Sequence, residues 1–232
     1  MRHALGIGVF LTVFQLTSGP AQAGVLRQDL RALFTPRNLG LSALGFGLAG
    51  VTHVWDDDAR RRLKGAAPFA QTARVTDVYG ASEFELPATL GLYLFARAAR
   101  RGELRAVSSD LLRALVFTQG VVGPIKYGAR RWRPDRSNRL SFPSGHAANA
   151  FTVAGVLARR YGPRVGVPLY LVGIFVAAGR IEGDHHFLSD VIAGAALGTV
   201  VGVSVTRTEA KRISVLPGRT PDGWTLILRF CP

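Results

Sequence analysis

Six apolar segments, each 12–17 residues long and set off by Arg-rich connections, constrain this chain more than any other feature. They are Leu39–Trp55, Leu86–Ala99, Leu111–Ile125, Ala147–Ala158, Val165–Ala178 and Val191–Val205. A helix perpendicular to a bilayer needs about 20 apolar residues, with about 17 as the lower limit. Several segments reach that length only with their flanking residues. None alternates apolar and polar positions as a half-buried strand does, and Gly and Ala recur in all of them. The segments therefore read as helices packed through small residues, as membrane helices commonly are. On the last, Gly194, Gly198 and Gly202 form two overlapping G-x-x-x-G steps. Glycine inside a water-soluble helix costs about 1 kcal/mol relative to alanine, so these steps predict close helix contact. The expected fold class is all-α, a six-helix membrane bundle over residues 24–206.

The two ends of the chain read differently. Residues 1–23 have the form of a secretory leader: Arg2 and His3, an apolar stretch Ala4–Leu16, a break at Pro20, and Ala21-Gln22-Ala23 before Gly24. The alternative is an uncleaved first anchor. In the tail, 207–232, Arg212–Leu216 and Trp224–Phe230 are strand-like and separated by Pro/Gly turns, which predicts a short β-hairpin. The single cysteine, Cys231, excludes an internal disulfide and a cysteine metal site.

The formal charge is +14, and nearly all of it is arginine, since only Lys64, Lys126 and Lys211 are lysines. Such a balance fits an anionic membrane surface or an anionic substrate. The basic residues lie in short clusters between apolar segments and not along one polar face or tail, which argues against nucleic acid. Arg97, Arg100, Arg101, Arg105 and Arg113 surround one connection. Arg159, Arg160 and Arg164 occupy another, and Arg207, Lys211 and Arg212 follow the last segment. Alternation puts the three on one side, which the positive-inside rule makes cytoplasmic. The connections carrying Arg133, Ser144 and His186 then face outward. A cleaved leader conflicts with this, because six crossings from an outside start reverse it. Three arrangements stay open: one of the first two segments does not cross, the leader is kept as a seventh crossing, or the bundle does not span.

Three clusters carry the chemistry: Lys126-Tyr-Gly-Ala-Arg-Arg-Trp-Arg133-Pro134, Pro143-Ser144-Gly145-His146, and Arg180-Ile-Glu-Gly-Asp-His-His186-Phe-Leu-Ser-Asp190. Phosphoryl transfer builds negative charge that fixed cations and hydrogen-bond donors stabilise. Lys126, Arg133 and Arg180 are such cations. The Ser144 hydroxyl, the Gly145 N–H and the start of the following helix are such donors. His186 and Asp190 are four apart at the start of the last helix and share a face. Asp190 can accept from one ring nitrogen of His186, which leaves the other as a nucleophile. His146 remains to protonate the leaving oxygen. Asp184 and His185 read as supporting residues, Asp184 as an orienter of a basic group. No cluster suits a metal.

These clusters resemble the type-2 phosphatidic acid phosphatase superfamily, which also contains the vanadium haloperoxidases. That family's pattern is Lys-x6-Arg-Pro, then Pro-Ser-Gly-His, then Ser-Arg-x5-His-x3-Asp. The chain departs from it only at Gly179, which replaces the Ser before Arg180. The resemblance spans about 84–206. It implies a metal-independent phosphatase without cofactor, acting on a lipid phosphate or diphosphate through a phosphohistidine. It implies Lys126, Arg133, Ser144, Gly145 and Arg180 as phosphate ligands, His186 as nucleophile, His146 as acid and Asp190 as orienter of His186. With the leader and the charge asymmetry, the expected place is a bacterial inner membrane, surrounded by its lipids, with the site facing the periplasm. A soluble periplasmic acid phosphatase with the same site is the alternative. A haloperoxidase and a non-catalytic membrane scaffold fit less well.

Overall fold

The computed structural model describes residues 20–65 and 78–206, together with the backbone of 212–220 and 223–231; side chains are described from 24 onward in the first stretch and throughout the second. Most of the expected leader or anchor, and Arg207 and Lys211, lie outside the described residues. The helices are α1 (Pro20–Leu33), α2 (Pro36–Thr52), α3 (Asp56–Leu63), α4 (Ser82–Ala98), α5 (Gly102–Ala129), α6 (Gly145–Tyr161), α7 (Pro163–Glu182) and α8 (Leu188–Val205), with a 3-10 turn at His53–Trp55. In the tail, β1 (Arg212–Thr220) pairs antiparallel with β2 (Gly223–Cys231), Arg212 opposite Cys231 and Thr220 opposite Gly223.

The helices outrun the apolar segments because polar residues cap and extend them. Thr35 opens α2, its hydroxyl accepting from the Asn38 N–H at 3.4 Å, with Pro36 at the first helical position. Ser144 caps α6 in the same way, and Gly162, at φ +82°, ends it before Pro163 starts α7. The 15-residue segment Leu111–Ile125 becomes the 28 residues of α5, about 42 Å at 1.5 Å per residue. Two elements, α1 and α3, went unforeseen. Both are too polar to register as apolar segments.

α8 is the hub, packed on α6 by its glycine row. A Cβ at Gly194 would strike the Ser144 carbonyl, one at Gly198 the Ala148 carbonyl, and one at Gly202 the Thr152 carbonyl. The three contacts step by four residues on both helices, so the G-x-x-x-G reading describes a backbone-to-backbone seam. Around the seam lie Ala114, Val122, Ala148, Val156, Leu197, Val201 and Val205.

The bundle has two distinct ends. At one, both oxygens of buried Asp110 are engaged, accepting from Arg113 and Arg160 at 2.8 Å each. Arg113 also donates to Asp29 of α1 at 2.8 Å and to the Val205 carbonyl at 3.2 Å. The Arg-rich connections inferred to share a side are thus drawn together. The other end holds the three motif clusters. α2 runs between the ends, from Asn38, which donates to Ser204 at 2.8 Å, to the turn at His53.

The outside is apolar where a water-soluble bundle would be polar. Leu44 and Val51 on α2, Phe95 on α4 and Leu171 on α7 are each at least 60% exposed. A belt of this extent is costly in water and suits a lipid surround. By length and composition alone, α7 and α8 qualify to cross a membrane.

Candidate active site

The site forms where the α5–α6 connection, the first turn of α6 and the α7–α8 connection meet. α5 ends at Ala129, with Arg130 in the left-handed region closing its last turn on the Lys126 carbonyl at 3.1 Å. The connection then folds back, its Ser141 N–H reaching the Arg131 carbonyl at 3.1 Å. Lys126 Nζ donates to the Leu140 carbonyl at 2.7 Å, and its Cε lies 3.9 Å from where a Gly145 side chain would begin. That is ordinary van der Waals distance, so Lys126 lies directly beside the start of α6.

Ser144 is fully buried, and its N–H donates to the Asp190 carbonyl at 2.9 Å. Its hydroxyl oxygen accepts the Ala147 N–H at 3.4 Å, which leaves the hydroxyl proton to donate elsewhere. Helix geometry leaves the Gly145 N–H without an intrahelical acceptor, on the positive end of the α6 dipole. The backbone of His146, next along, is covered by Gly80, at φ +91°, where a Cβ would come within 2.7 Å of the His146 carbonyl. Gly80 is held from both sides, its N–H donating to Glu85 and its carbonyl accepting from Asn149, each at 3.1 Å.

His186 sits two residues before α8 and not within it, as the sequence had placed it. The N–H groups of His185 and His186 both donate to the Arg180 carbonyl at 3.1 Å, which fixes the loop to the end of α7. The His186 ring is 1% exposed, and its Nδ1 faces Asp190 Oδ2 at 3.7 Å, an electrostatic contact longer than a hydrogen bond. Burial first, and then Lys126 and Arg133, push its pKa down to about 3 against the pull of Asp190. The imidazole is therefore neutral, with Nε2 directed away from Asp190. Arg133, Arg180 and Asp190 all lie within electrostatic reach of Lys126. The Nε of Arg133 is buried with no partner among the described protein groups, a donor suited to an anion. All eight residues singled out in the sequence come to this end of the bundle.

The sequence reading missed the shell behind them. Asp190 is fully buried, and its Oδ2 accepts from Ser141 at 2.5 Å and from the Phe187 N–H at 2.8 Å. Phe187 has no polar side chain to reciprocate, so this is half of a capping box. Oδ1 accepts from Arg131 at 2.7 Å. Arg131 also reaches Ser189 and Asp56, and stacks 4.4 Å from the centre of the Phe187 ring. In the sequence Arg131 is one of several arginines in a run, and Asp56 opens a run of three aspartates; nothing there distinguishes either. Asp184, expected to orient a basic residue, accepts from Arg60 and from Lys64 at 2.5 and 2.7 Å. His185 lies 3.7 Å from Asp135. Among the described residues no three His, Cys, Asp or Glu side chains gather as a metal site.

A buried neutral imidazole backed by a carboxylate, beside fixed cations and a helix N-terminus, is equipped to bind a phosphate and attack it. Comparison with known proteins agrees with this geometry. Residues 109–214, which contain every motif, match the PAP2 superfamily. A lipid A 1-phosphatase of Porphyromonas gingivalis is 42% identical over 97 residues, 40% of this chain and 22% of that protein. One of Rhizobium etli is 34% identical over 141 residues, 54% of this chain and 60% of that protein. The chain thus spans less than two thirds of the length of either. Among solved structures, a transmembrane PAP2-type phosphatidylglycerolphosphate phosphatase from Bacillus subtilis superposes with a TM-score of 0.58 at 23% identity, covering 72% of this chain and 92% of that one. Motifs, matched segment and fold coincide: over residues 109–214 the chain is similar to the PAP2 superfamily.

Proposed function

We propose that this protein is a metal-independent lipid phosphatase that works through a phosphohistidine. One observation carries the reading: His186, neutral and backed by Asp190, lies among Lys126, Arg133 and Arg180 at one end of a bundle whose outside is apolar. His186 Nε2 attacks phosphorus as the bond to the leaving oxygen breaks, and His146 gives that oxygen a proton. Water then attacks the phosphohistidine, His146 takes its proton, and phosphate departs. Lys126, Arg133, Arg180, the Ser144 hydroxyl and the Gly145 N–H hold the phosphoryl oxygens throughout. The exposed apolar belt favours a lipid over the soluble substrates of a free periplasmic enzyme.

In this reading residues 24–206 form the phosphatase domain, the tail is an appended hairpin, and α2 and α4–α8 make six crossings. The Arg-rich end is cytoplasmic and the site faces the periplasm. The Asp29–Arg113 pair ties α1 to that Arg-rich end. A leader inserted with its N-terminus in the cytoplasm would deliver residue 24 to the other side, cleaved or not, so a first anchor fits this reading only with its N-terminus outside. The names of the relatives put lipid A 1-phosphate first among the substrates to assay. The test is phosphate release by the purified protein in detergent from a panel of lipid A, phosphatidylglycerol phosphate, phosphatidic acid and prenyl diphosphate. Release from a lipid substrate is expected. Release from soluble monoesters alone would refute the lipid assignment.

A further inference from the structure

A second layer of the site comes from a part of the chain that precedes the matched family segment. Asp56, at the junction of the 3-10 turn and α3, is 4% exposed. Its Oδ1 accepts from the Ser189 N–H at 2.8 Å. Its Oδ2 accepts from the Ser189 hydroxyl at 2.8 Å and from Arg131 at 2.6 Å, and lies 2.7 Å from His53 Nδ1. The other terminal nitrogen of Arg131 donates to Asp190 Oδ1 and to Ser189, both at 2.7 Å. A single guanidinium is therefore stretched between two carboxylates, and the second of them faces His186.

The arrangement has a consequence for the nucleophile. A planar guanidinium prefers to grip one carboxylate with two parallel bonds. Here Asp56 holds one nitrogen of Arg131, so Asp190 receives only the other. Asp190 is left with its Oδ2 side and part of its charge for the His186 ring. Without the Asp56 charge, Arg131 is free to turn both nitrogens onto Asp190 and draw it from the imidazole. The Ser189 contacts add a geometric constraint, because they tie the first turn of α8, and so the backbone of Asp190, to α3.

We propose that Asp56 and Arg131 are positioning residues that set the orientation of His186 through Asp190, and that α3 is thereby a working part of the catalytic site. The proposal rests on His186 being the nucleophile. It requires that the effects of Asp56 and Arg131 pass through Asp190, and a double-mutant cycle reads that directly.

The experiment uses the full chain in detergent and single-turnover release of radiolabelled phosphate, sensitive enough to follow the slow Asp190→Asn variant. Asp56→Asn and Arg131→Lys are each made in the wild-type and in the Asp190→Asn background. Lysine keeps the charge of Arg131 but cannot span two carboxylates. In the wild-type background each is expected to lower kcat about 10–100-fold, the scale seen when residues supporting a ligand are removed, with KM changed less than about twofold. In the Asp190→Asn background neither is expected to cost more. Arg61→Ala, which removes an exposed pair with Asp58, serves as the control and leaves kcat unchanged. Equal fold-losses in both backgrounds would mean a merely structural role and overturn the proposal, as would an unchanged kcat. If Asp56→Asn does not fold, judged by gel filtration, Arg131→Lys decides alone. Activity surviving in His186→Ala would instead refute the nucleophile assignment and with it the premise.

Discussion

The N–H of Ser144 donates to the carbonyl of Asp190 at 2.9 Å, which joins the motif that opens α6 to the motif that opens α8. From that bond the two helices run together along the glycine row, Gly194 beside Ser144, Gly198 beside Ala148 and Gly202 beside Thr152. The end that carries the candidate site is thus the first rung of a helix seam. The spacing of the Ser144–Gly145 turn, the proposed phosphate cradle, from His186 depends on how closely the seam packs.

Gly198→Ala is expected to unfold the bundle or lower its melting temperature sharply in detergent. The added methyl meets the backbone carbonyl of Ala148, which cannot rotate away. Overpacking typically costs about 1–3 kcal/mol and occasionally more, and an obstacle of backbone belongs at the upper end. Gly47→Ala, on α2 with nothing within 4 Å of the new Cβ, is the control and is expected to be neutral or slightly stabilising. Equal melting temperatures for the two variants would disprove the seam.

Acidification is expected to weaken the fold in two windows. His186 is held neutral down to about pH 3 in the native state, whereas unfolded it takes a proton near 6.5. Between those values the unfolded chain binds more protons, so stability falls as pH falls from about 6.5. Asp184 is held down to about 2 by Arg60 and Lys64. Its contribution is present above about pH 4 and is lost as pH drops through 2. Melting curves from pH 7 to 4 test the first window: His186→Gln is expected to show a flatter slope than wild type. Parallel slopes would mean that His186 is not buried neutral.

Orthovanadate is expected to inhibit, and exhaustive chelation to leave turnover unchanged. A five-coordinate vanadate on His186 Nε2 mimics the in-line transition state, and such analogues bind far more tightly than substrates. In the proposed mechanism Lys126, Arg133 and Arg180 supply the charge that a metal supplies in other phosphatases. Full activity in millimolar vanadate, or activity lost to chelator and restored by magnesium, would contradict the site.

The motif residues were legible in the sequence because each is a chemically distinct side chain at a fixed spacing. The helix seam was legible because only close contact explains three glycines four apart. Asp56 and Arg131 were not, since a carboxylate in an Asp run and a guanidinium in an Arg run acquire meaning only from a partner 75 positions away in sequence. α3 went unseen for a related reason: its residues, Asp-Asp-Asp-Ala-Arg-Arg-Arg-Leu, have no apolar stripe, and ion pairs to Asp184 and Ser189 contacts hold it instead. The direction of α2 was also hidden, because charge alone could not tell which end of its apolar stretch met the arginines.

The proposed sidedness can be tested at the two ends of the bundle. Ser137 lies at the site end and Arg101 at the arginine end, both exposed. With Cys231 replaced by Ser, Ser137→Cys is expected to react with an impermeant thiol reagent in spheroplasts, and Arg101→Cys only after lysis. The reverse pattern would invert the topology and put the site in the cytoplasm.

The two histidines are separable by their dependence on the leaving group. If His186 is the nucleophile, as proposed, every substrate needs it equally. If His146 is the proposed acid that protonates the departing oxygen, its worth depends on how basic that oxygen is. A lipid alkoxide is strongly basic and leaves poorly without a proton, whereas nitrophenolate is stable as an anion. General acid catalysis contributes about 10²–10⁴-fold, and this factor shrinks as the leaving group improves. His146→Ala is therefore expected to lose most activity on a lipid phosphate with an alkoxide leaving group yet to keep measurable phosphoenzyme formation with nitrophenyl phosphate. His186→Ala is expected to be inactive on both. Asp190→Asn falls between, because the imidazole survives but its tautomer is no longer fixed. The burst of nitrophenol and the acid-labile phosphate on the protein measure this, once gel filtration has shown each variant folded. Should His146→Ala form phosphoenzyme from the activated substrate no better than His186→Ala does, the roles of acid and nucleophile are wrongly assigned.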